Sequence, residues 1–210
     1  MYRDITGIIL SGGKSTRMGQ NKSFLKLGKK TVIENICILM KSIFENVIII
    51  TNEPEKYQFL NVKCYEDIFK DYGPIGGIHS GLKHSYTDNN FIISCDLPLI
   101  TKEIINYIIN YDITKEIVIT RADGFTQQLC GLYNKKVLPL IERIISVPDE
   151  KENRNNIQGK RKCRVLTLIE RSNATIIDIE KEFAKYIKGS FLNLNNPEDY
   201  KFIVDSGFYK

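Results

Sequence analysis

Four short apolar runs punctuate the first half of the chain, at residues 7–10, 47–50, 62–65 and 91–95. Each is a few residues long and ends in a polar or glycine-rich turn, the signature of a strand buried on both faces. Helical patterns stand between them. Residues 31–44 place Val32, Ile33, Ile36, Leu39, Met40 and Ile43 on one stripe. A short helix is expected at 54–59, and a turn at 72–78 leads into a helix that runs to about residue 85. Strands that alternate with helices over some hundred residues imply βαβ units, hence an α/β fold with a mostly parallel sheet and helices on both faces. Ligands of such sheets sit at the carboxyl ends of the strands.

That rule collects the polar residues that follow the strands. Ser11, Gly12 and Gly13 follow the first, Asn52 the second, Asp67 the third and Asp96 the fourth. The first turn is the richest, with Thr6–Lys22 reading TGIILSGGKSTRMGQNK. A strand that opens into glycines and then cations is suited to polyphosphate. The glycines let backbone N–H groups approach phosphate oxygens, Arg17 supplies a planar fork of donors, and Lys22 supplies a point charge. The P-loop, G-x-x-x-x-G-K-[ST], fits only at its end, Gly13-Lys14-Ser15. Its first glycine falls on Ile8, one place beyond Gly7, and a one-residue slip in a strand reverses the side chain's face.

The second half continues the pattern. Thr101 is the expected N-cap of a helix over 102–110, strands are expected at 117–120, 129–133 and 175–179, and a helix follows 129–133 with Pro139 near its first turn. Residues 148–160 are polar and basic and read as a mobile loop. A helix is expected around 161–171 and a further strand around 191–194. Asn196-Pro197-Glu198-Asp199 reads as a helix start, with an N-cap, proline at N1 and acids in the first turn.

Composition excludes several classes. The net charge of +5 is confined to residues 151–164, which hold six basic residues and one acid, so the chain lacks the spread basic footprint of a nucleic-acid binder. The apolar runs are far short of membrane-spanning length, and the first residues lack a signal-peptide pattern, so a cytoplasmic protein is expected. Five cysteines occur singly and wide apart, which suggests neither a disulfide framework nor a zinc site. Cys37, Cys95 and Cys130 sit in apolar runs and read as core residues. His79 and His84 read as structural or surface residues.

Leu10, Gly12, Gly13, Ser15, Arg17, Met18, Gly19 and Lys22 match eight positions of L-x-G-G-x-S-x-R-M-G-x-x-K over thirteen residues. This string resembles the signature loop of nucleotidyltransferases that transfer a nucleoside monophosphate from an NTP, and more closely that of the molybdenum cofactor guanylyltransferase (MobA) family. The resemblance spans nearly the whole chain. Cys95-Asp96-Leu97-Pro98 stands where the family holds a Mg²⁺-binding aspartate, and Asp67 stands in an E-D-x-x-x-D-Y-G-P-like segment near the nucleotide. Gly73–Gly77 matches the family's G-P-L-A-G-like turn with Ile75 and Gly76 substituted, and implies a backbone wall of the nucleotide pocket. Gln127–Tyr133 resembles the acceptor-side strand, with Gly131 where alanine is common. Phe191–Asp199 resembles F-x-N-x-N-T-P-E-[DE], which implies that Asn193 and Asn195 face the acceptor.

The resemblance implies a single Rossmann-like domain over 1–210, of the nucleotide-diphospho-sugar transferase type. It implies transfer of GMP from GTP to the terminal phosphate of molybdopterin or molybdenum cofactor, with release of pyrophosphate. Arg17, Lys22 and Asp96 are then the catalytic residues. Leu10, Ser11, Gly12, Gly13, Lys22, Asn52, Asp67 and Asp96 bind nucleotide, and Asp96 binds Mg²⁺. Molybdoenzymes or cofactor-delivery proteins are implied as further partners, with neither nucleic acid nor membrane. Gly12, where related cytidylyltransferases carry a bulkier residue, leaves room for a purine. The alternatives are a cytidylyl- or sugar-nucleotide transferase of the same fold, a P-loop NTPase, and a non-catalytic protein that binds an acidic partner through residues 160–164.

Overall fold

The computed structural model describes residues 1–12, 21–146 and 157–209, with side chains from 164 onward in the last stretch. Seven of its strands make one sheet, in the order β5-β4-β1-β6-β8-β7-β9. These are β1 (Tyr2–Leu10), β4 (Phe44–Ile50), β5 (Lys63–Tyr65), β6 (Asn89–Ser94), β7 (Ile117–Ala122), β8 (Phe125–Asn134) and β9 (Ala174–Asp178). Strands β2 (Lys26–Leu27) and β3 (Lys30–Thr31) form a separate antiparallel pair. In the main sheet β8 alone runs against its neighbours. The expected mostly parallel sheet is therefore present with one reversed strand.

Strand alternation builds the two faces. On one side lie Ile5, Ile9, Ile49, Phe91, Ile93, Cys130 and Leu132, covered by α1 (Val32–Ile43) and α3 (Lys102–Ile109). On the other lie Ile8, Leu10, Ile48, Ile50, Ile92 and Tyr133, covered by α2 (Pro74–His84), α4 (Leu138–Ser146) and α5 (Ile157–Arg171). The short α6 (Ile179–Glu182) adds Ile179 to the first face. Helix α7 (Pro197–Asp205) adds Ile203 to a third cluster with Leu27, Val32, Leu99 and Leu194. Cys37, Cys95 and Cys130 are buried in the core as expected.

The helix starts obey local chemistry. Thr31 Oγ1 accepts from Glu34 N while Glu34 accepts from Thr31 N, a reciprocal capping box. Asn196 and Asp199 repeat it at α7, and Thr101 caps α3 as its sequence suggests.

Four expectations are corrected. First, α1 gives way to β4 without a loop: Phe44 ends the helix and begins the strand, so the strand starts before residue 47. Second, β8 begins at Phe125 and not at 129. Asp123 and Gly124 have φ of 51° and 78°, the two positive values of a tight β7–β8 hairpin turn. Gly131, farther along β8, is fixed by packing, since a Cβ there would stand 2.5 Å from the Val118 carbonyl oxygen. Third, no strand forms over residues 191–194. The Ser190 and Leu192 N–H groups bond locally to Ile187 and Gly189, and only Leu194 N reaches the sheet edge, at the Asp96 carbonyl (2.9 Å). The apolar alternation there instead anchors a strap, with Phe191 in the first cluster and Leu194 in the third. Fourth, the basic loop expected over 148–160 is helical from Ile157; its residues 148–156 lie outside the described set.

Candidate functional site

The sheet's hydrogen bonding continues past the strand ends. Ser11 N donates to Ile50 O (2.9 Å), Thr51 N to Tyr65 O (2.9 Å) and Cys95 N to Leu10 O (3.0 Å). The residues that begin each loop are therefore fixed by the sheet, and Gly12, Asn52, Asp67 and Asp96 lie along one edge. Gly13 and Arg17 lie outside the described residues. A Cβ on Gly12 would meet nothing within 4 Å among the described residues.

Asp96 is the most tightly held of the expected residues. Ser94, two residues earlier on the strand, donates its hydroxyl to Asp96 Oδ1 (2.6 Å), and the strap docks on the Asp96 carbonyl. Lys22 Nζ lies 2.9 Å from Asp96 Oδ2 and 2.9 Å from Asn195 Oδ1. The ion pair is largely shielded, with Lys22 and Asp96 side chains 22% and 16% exposed. Residues 173 positions apart in sequence thus meet around one ammonium. Two hard oxygens already converge on a cation, a donor set that suits Mg²⁺, which keeps several waters and takes one or two carboxylates together with phosphate oxygens. Among the described residues no three His, Cys, Asp or Glu side chains cluster as a metal cage, so an ion here would rely on bound phosphate for further ligands.

Asn195 joins this centre but Asn193 does not: its Nδ2 turns back to the Phe191 carbonyl (3.4 Å). Asn52 and Asp67 form a separate pair, with Asn52 Nδ2 donating to Asp67 Oδ2 (3.0 Å) and Asp67 N donating to Asn52 Oδ1 (3.3 Å). Gly77, in the first turn of α2, lies beside Leu10 and Asp67 Oδ1. Residues 74–77 are thus the start of a helix, not a free turn. Among the described residues the buried Asp67 Oδ1 has no hydrogen-bond partner. Burial raises the carboxyl's pKa, against the opposing effects of Asn52 and Lys70.

The raised folded-state pKa means that folding favours the protonated form. The ionised carboxylate therefore weakens stability at neutral pH, and that loss fades as pH falls through the folded-state pKa. Asp67→Asn is expected to raise Tm at neutral pH, with the gain shrinking on acidification. Thermal unfolding from about pH 4 to 8 checks this; a pH-independent difference would sink it.

Several residues of the site carry no motif in the sequence. Ser94 is the last residue of β6, two before Asp96 in the turn that follows, and nothing else in the sequence marks it. Beneath the loop, Ser11 Oγ donates to Tyr57 Oη (2.8 Å) and lies 3.1 Å from Ser23 Oγ, which is 3.2 Å from Cys95 Sγ. Tyr57 comes from the 3₁₀ helix Pro54–Leu60 and nothing local in its sequence marked it.

A mostly parallel sheet whose carboxyl edge carries the loop after β1 and the Lys22–Asp96 pair places the protein in the α/β class. Solved structures share this architecture. A protein from Aquifex aeolicus VF5 aligns with TM-score 0.70 and 30% identity, over 91% of this chain and 93% of that one. The Archaeoglobus fulgidus molybdopterin-guanine dinucleotide biosynthesis protein A aligns with TM-score 0.76 and 23% identity, over 96% and 98%. Residues 7–162 match the MobA-like NTP transferase domain, and the chain belongs to that family. A Clostridium perfringens (strain 13) protein named "Probable molybdenum cofactor guanylyltransferase" is 34% identical, over 93% of this chain and 94% of its own length. An Aquifex aeolicus relative of the same name is 32% identical, over 95% and 90%.

Proposed function

We propose that the protein is a molybdenum cofactor guanylyltransferase that moves GMP from GTP to the terminal phosphate of molybdopterin or molybdenum cofactor and releases pyrophosphate. The observation that carries this reading is the convergence of Lys22, Asp96 and Asn195 at the carboxyl edge of β6, beside the loop that follows β1. The acceptor phosphate is already a nucleophilic anion, so the site needs no general base. It must bring two anions together and neutralise the charge that develops.

This chain's residues divide that task. Leu10, Ser11, Gly12 and Gly13, which end and follow β1, take the nucleotide. Lys22 leaves its ion pair for the triphosphate, and the charge of Arg17 would neutralise the departing pyrophosphate. Asn52 and Asp67 hold the nucleoside side. Asn195, released by the same movement of Lys22, faces the acceptor, whereas Asn193 would first have to leave the Phe191 carbonyl. Asp96, with Asn195 beside it, would hold Mg²⁺, which would supply positive charge against that of the phosphates. Molybdoenzymes or delivery proteins receive the product, and the reaction belongs to the cytoplasm. No helix of the described residues is long and apolar enough to cross a membrane.

The test is thermal unfolding with Mg²⁺ and GTP, CTP, ATP or UTP in turn. A nucleotide at about 100 times its Kd adds roughly 2.7 kcal/mol of stability. A shift with GTP alone is expected. A shift with CTP alone would change the product, and no shift with any nucleotide would overturn the reading.

A further inference from the structure

Tyr57 is a fully buried side chain whose hydroxyl is spent on neither core packing nor its own helix. Its ring fills the space between α1 and the sheet and meets Phe24 at 5.2 Å between centroids. Its oxygen instead accepts from two residues that flank the glycine-rich loop. Ser11 Oγ, 2.8 Å away, stands at the loop's entrance, and Asn21 Nδ2, 3.4 Å away, stands at its exit. Asn21 Oδ1 also accepts from Ser23 N (3.1 Å), which fixes the turn that carries Lys22. From Ser11 the chain of bonds runs to Ser23 Oγ and on to Cys95 Sγ, the residue before Asp96.

We infer that Tyr57 is a positioning residue for Ser11 and Asn21, which flank the nucleotide loop, and through Asn21 for Lys22, resting on the nucleotidyltransferase reading above. One phenolic oxygen ties the loop's two ends together. The Ser11–Ser23–Cys95 relay sets that mouth against the strand end that bears Asp96. The Ser11, Ser23 and Tyr57 hydroxyls are buried and have lost solvation, so each holds its place only while its partner is present. Without the phenol oxygen, Ser11 and Asn21 lose their common partner and the loop's ends are free to part. The effect falls on nucleotide affinity, because Lys22, carried on the turn that Asn21 fixes, is then held less firmly for the ligand.

Tyr57→Phe keeps the ring and removes only the hydroxyl. The expected result is a five- to tenfold rise in the Kd and KM for Mg²⁺-GTP, the loss of about one hydrogen bond. kcat at saturating GTP should stay within about twofold, and the unliganded Tm should move little. Ser23→Ala, which breaks the relay from the other side, should weaken GTP binding similarly. The double variant should fall short of the product of the two effects, because both act through one network. A merely structural tyrosine would lower Tm without this split between KM and kcat. Calorimetric titration of GTP reads the affinities. If Tyr57→Phe binds GTP as wild type does, the inference is overturned while the functional reading stands. If wild type itself binds no GTP, both fall. If Tyr57→Phe fails to fold, Ser23→Ala decides, and unchanged GTP affinity there overturns the inference.

Discussion

Asp96→Asn is expected to lower kcat/KM for nucleotidyl transfer by about 10²–10³-fold, the usual consequence of losing one preorganised charge at a polar transition state. The substitution keeps the shape of the side chain. An amide oxygen can still meet the Lys22 ammonium, an amide N–H can still meet the Ser94 hydroxyl, and the backbone bond from Leu194 N to residue 96 is untouched. The unliganded protein should therefore melt near the wild-type temperature. What disappears is the negative charge that balances Lys22 in the free enzyme and that would hold a divalent cation in the loaded one. Pyrophosphate release with GTP and molybdopterin gives the rate, and circular dichroism gives the fold. A well-folded Asp96→Asn enzyme within about fivefold of wild type would remove Asp96 from the chemistry.

The fate of Asp96 also shows which parts of the site are legible in the sequence. A strand end is readable because a buried parallel strand is a short apolar run, and the residue after it must face the sheet's carboxyl edge. That rule places Gly12, Asn52, Asp67 and Asp96 on one edge from sequence alone. Lys22 and Asn195 are another matter. Their meeting is produced by the strap that docks Leu194 N on the Asp96 carbonyl, a contact between residues nearly a hundred positions apart. Local pattern holds no information about it, and the resemblance to a known loop and tail supplied what pattern could not. The same limit explains the strand wrongly expected at 191–194, where apolar alternation reflected anchoring in two separate clusters. It differs from the error at β8, because Asp123-Gly124 is a strong two-residue hairpin signal that a propensity reading passed over. Tyr57 was hidden for a third reason. Its role depends on its hydroxyl, and the run around it says only that a short helix follows Pro54.

Phe91→Ala is expected to destabilise the protein by about 3–5 kcal/mol, the largest stability effect of any substitution considered. The argument begins with position. Strand β6 lies between β1 and β8, so Phe91 is flanked by Gly7 on one side and Leu132 on the other, and its ring points into the first core face. It is fully buried and packs against Phe44 with centroids 5.8 Å apart and planes at 22°. Gly7 admits this arrangement, since a Cβ there would come within 2.7 Å of the Phe44 ring. Removing the Phe91 ring takes away the aromatic contact and leaves a cavity that the hydrogen-bonded strands on both sides cannot close. For a chain of 210 residues the loss corresponds to a fall in Tm of roughly 10 °C. Phe91→Leu, which refills part of the volume, should lose markedly less. Denaturant unfolding of the two variants checks the order. Equal losses would mean that the site relaxes around the missing ring and that the central strands are less rigid than their two-sided burial implies. The same rigidity holds the strand ends of β1 and β6 in register. A Phe91→Ala protein that remains folded should therefore also bind Mg²⁺-GTP more weakly, although no atom of Phe91 reaches the candidate site.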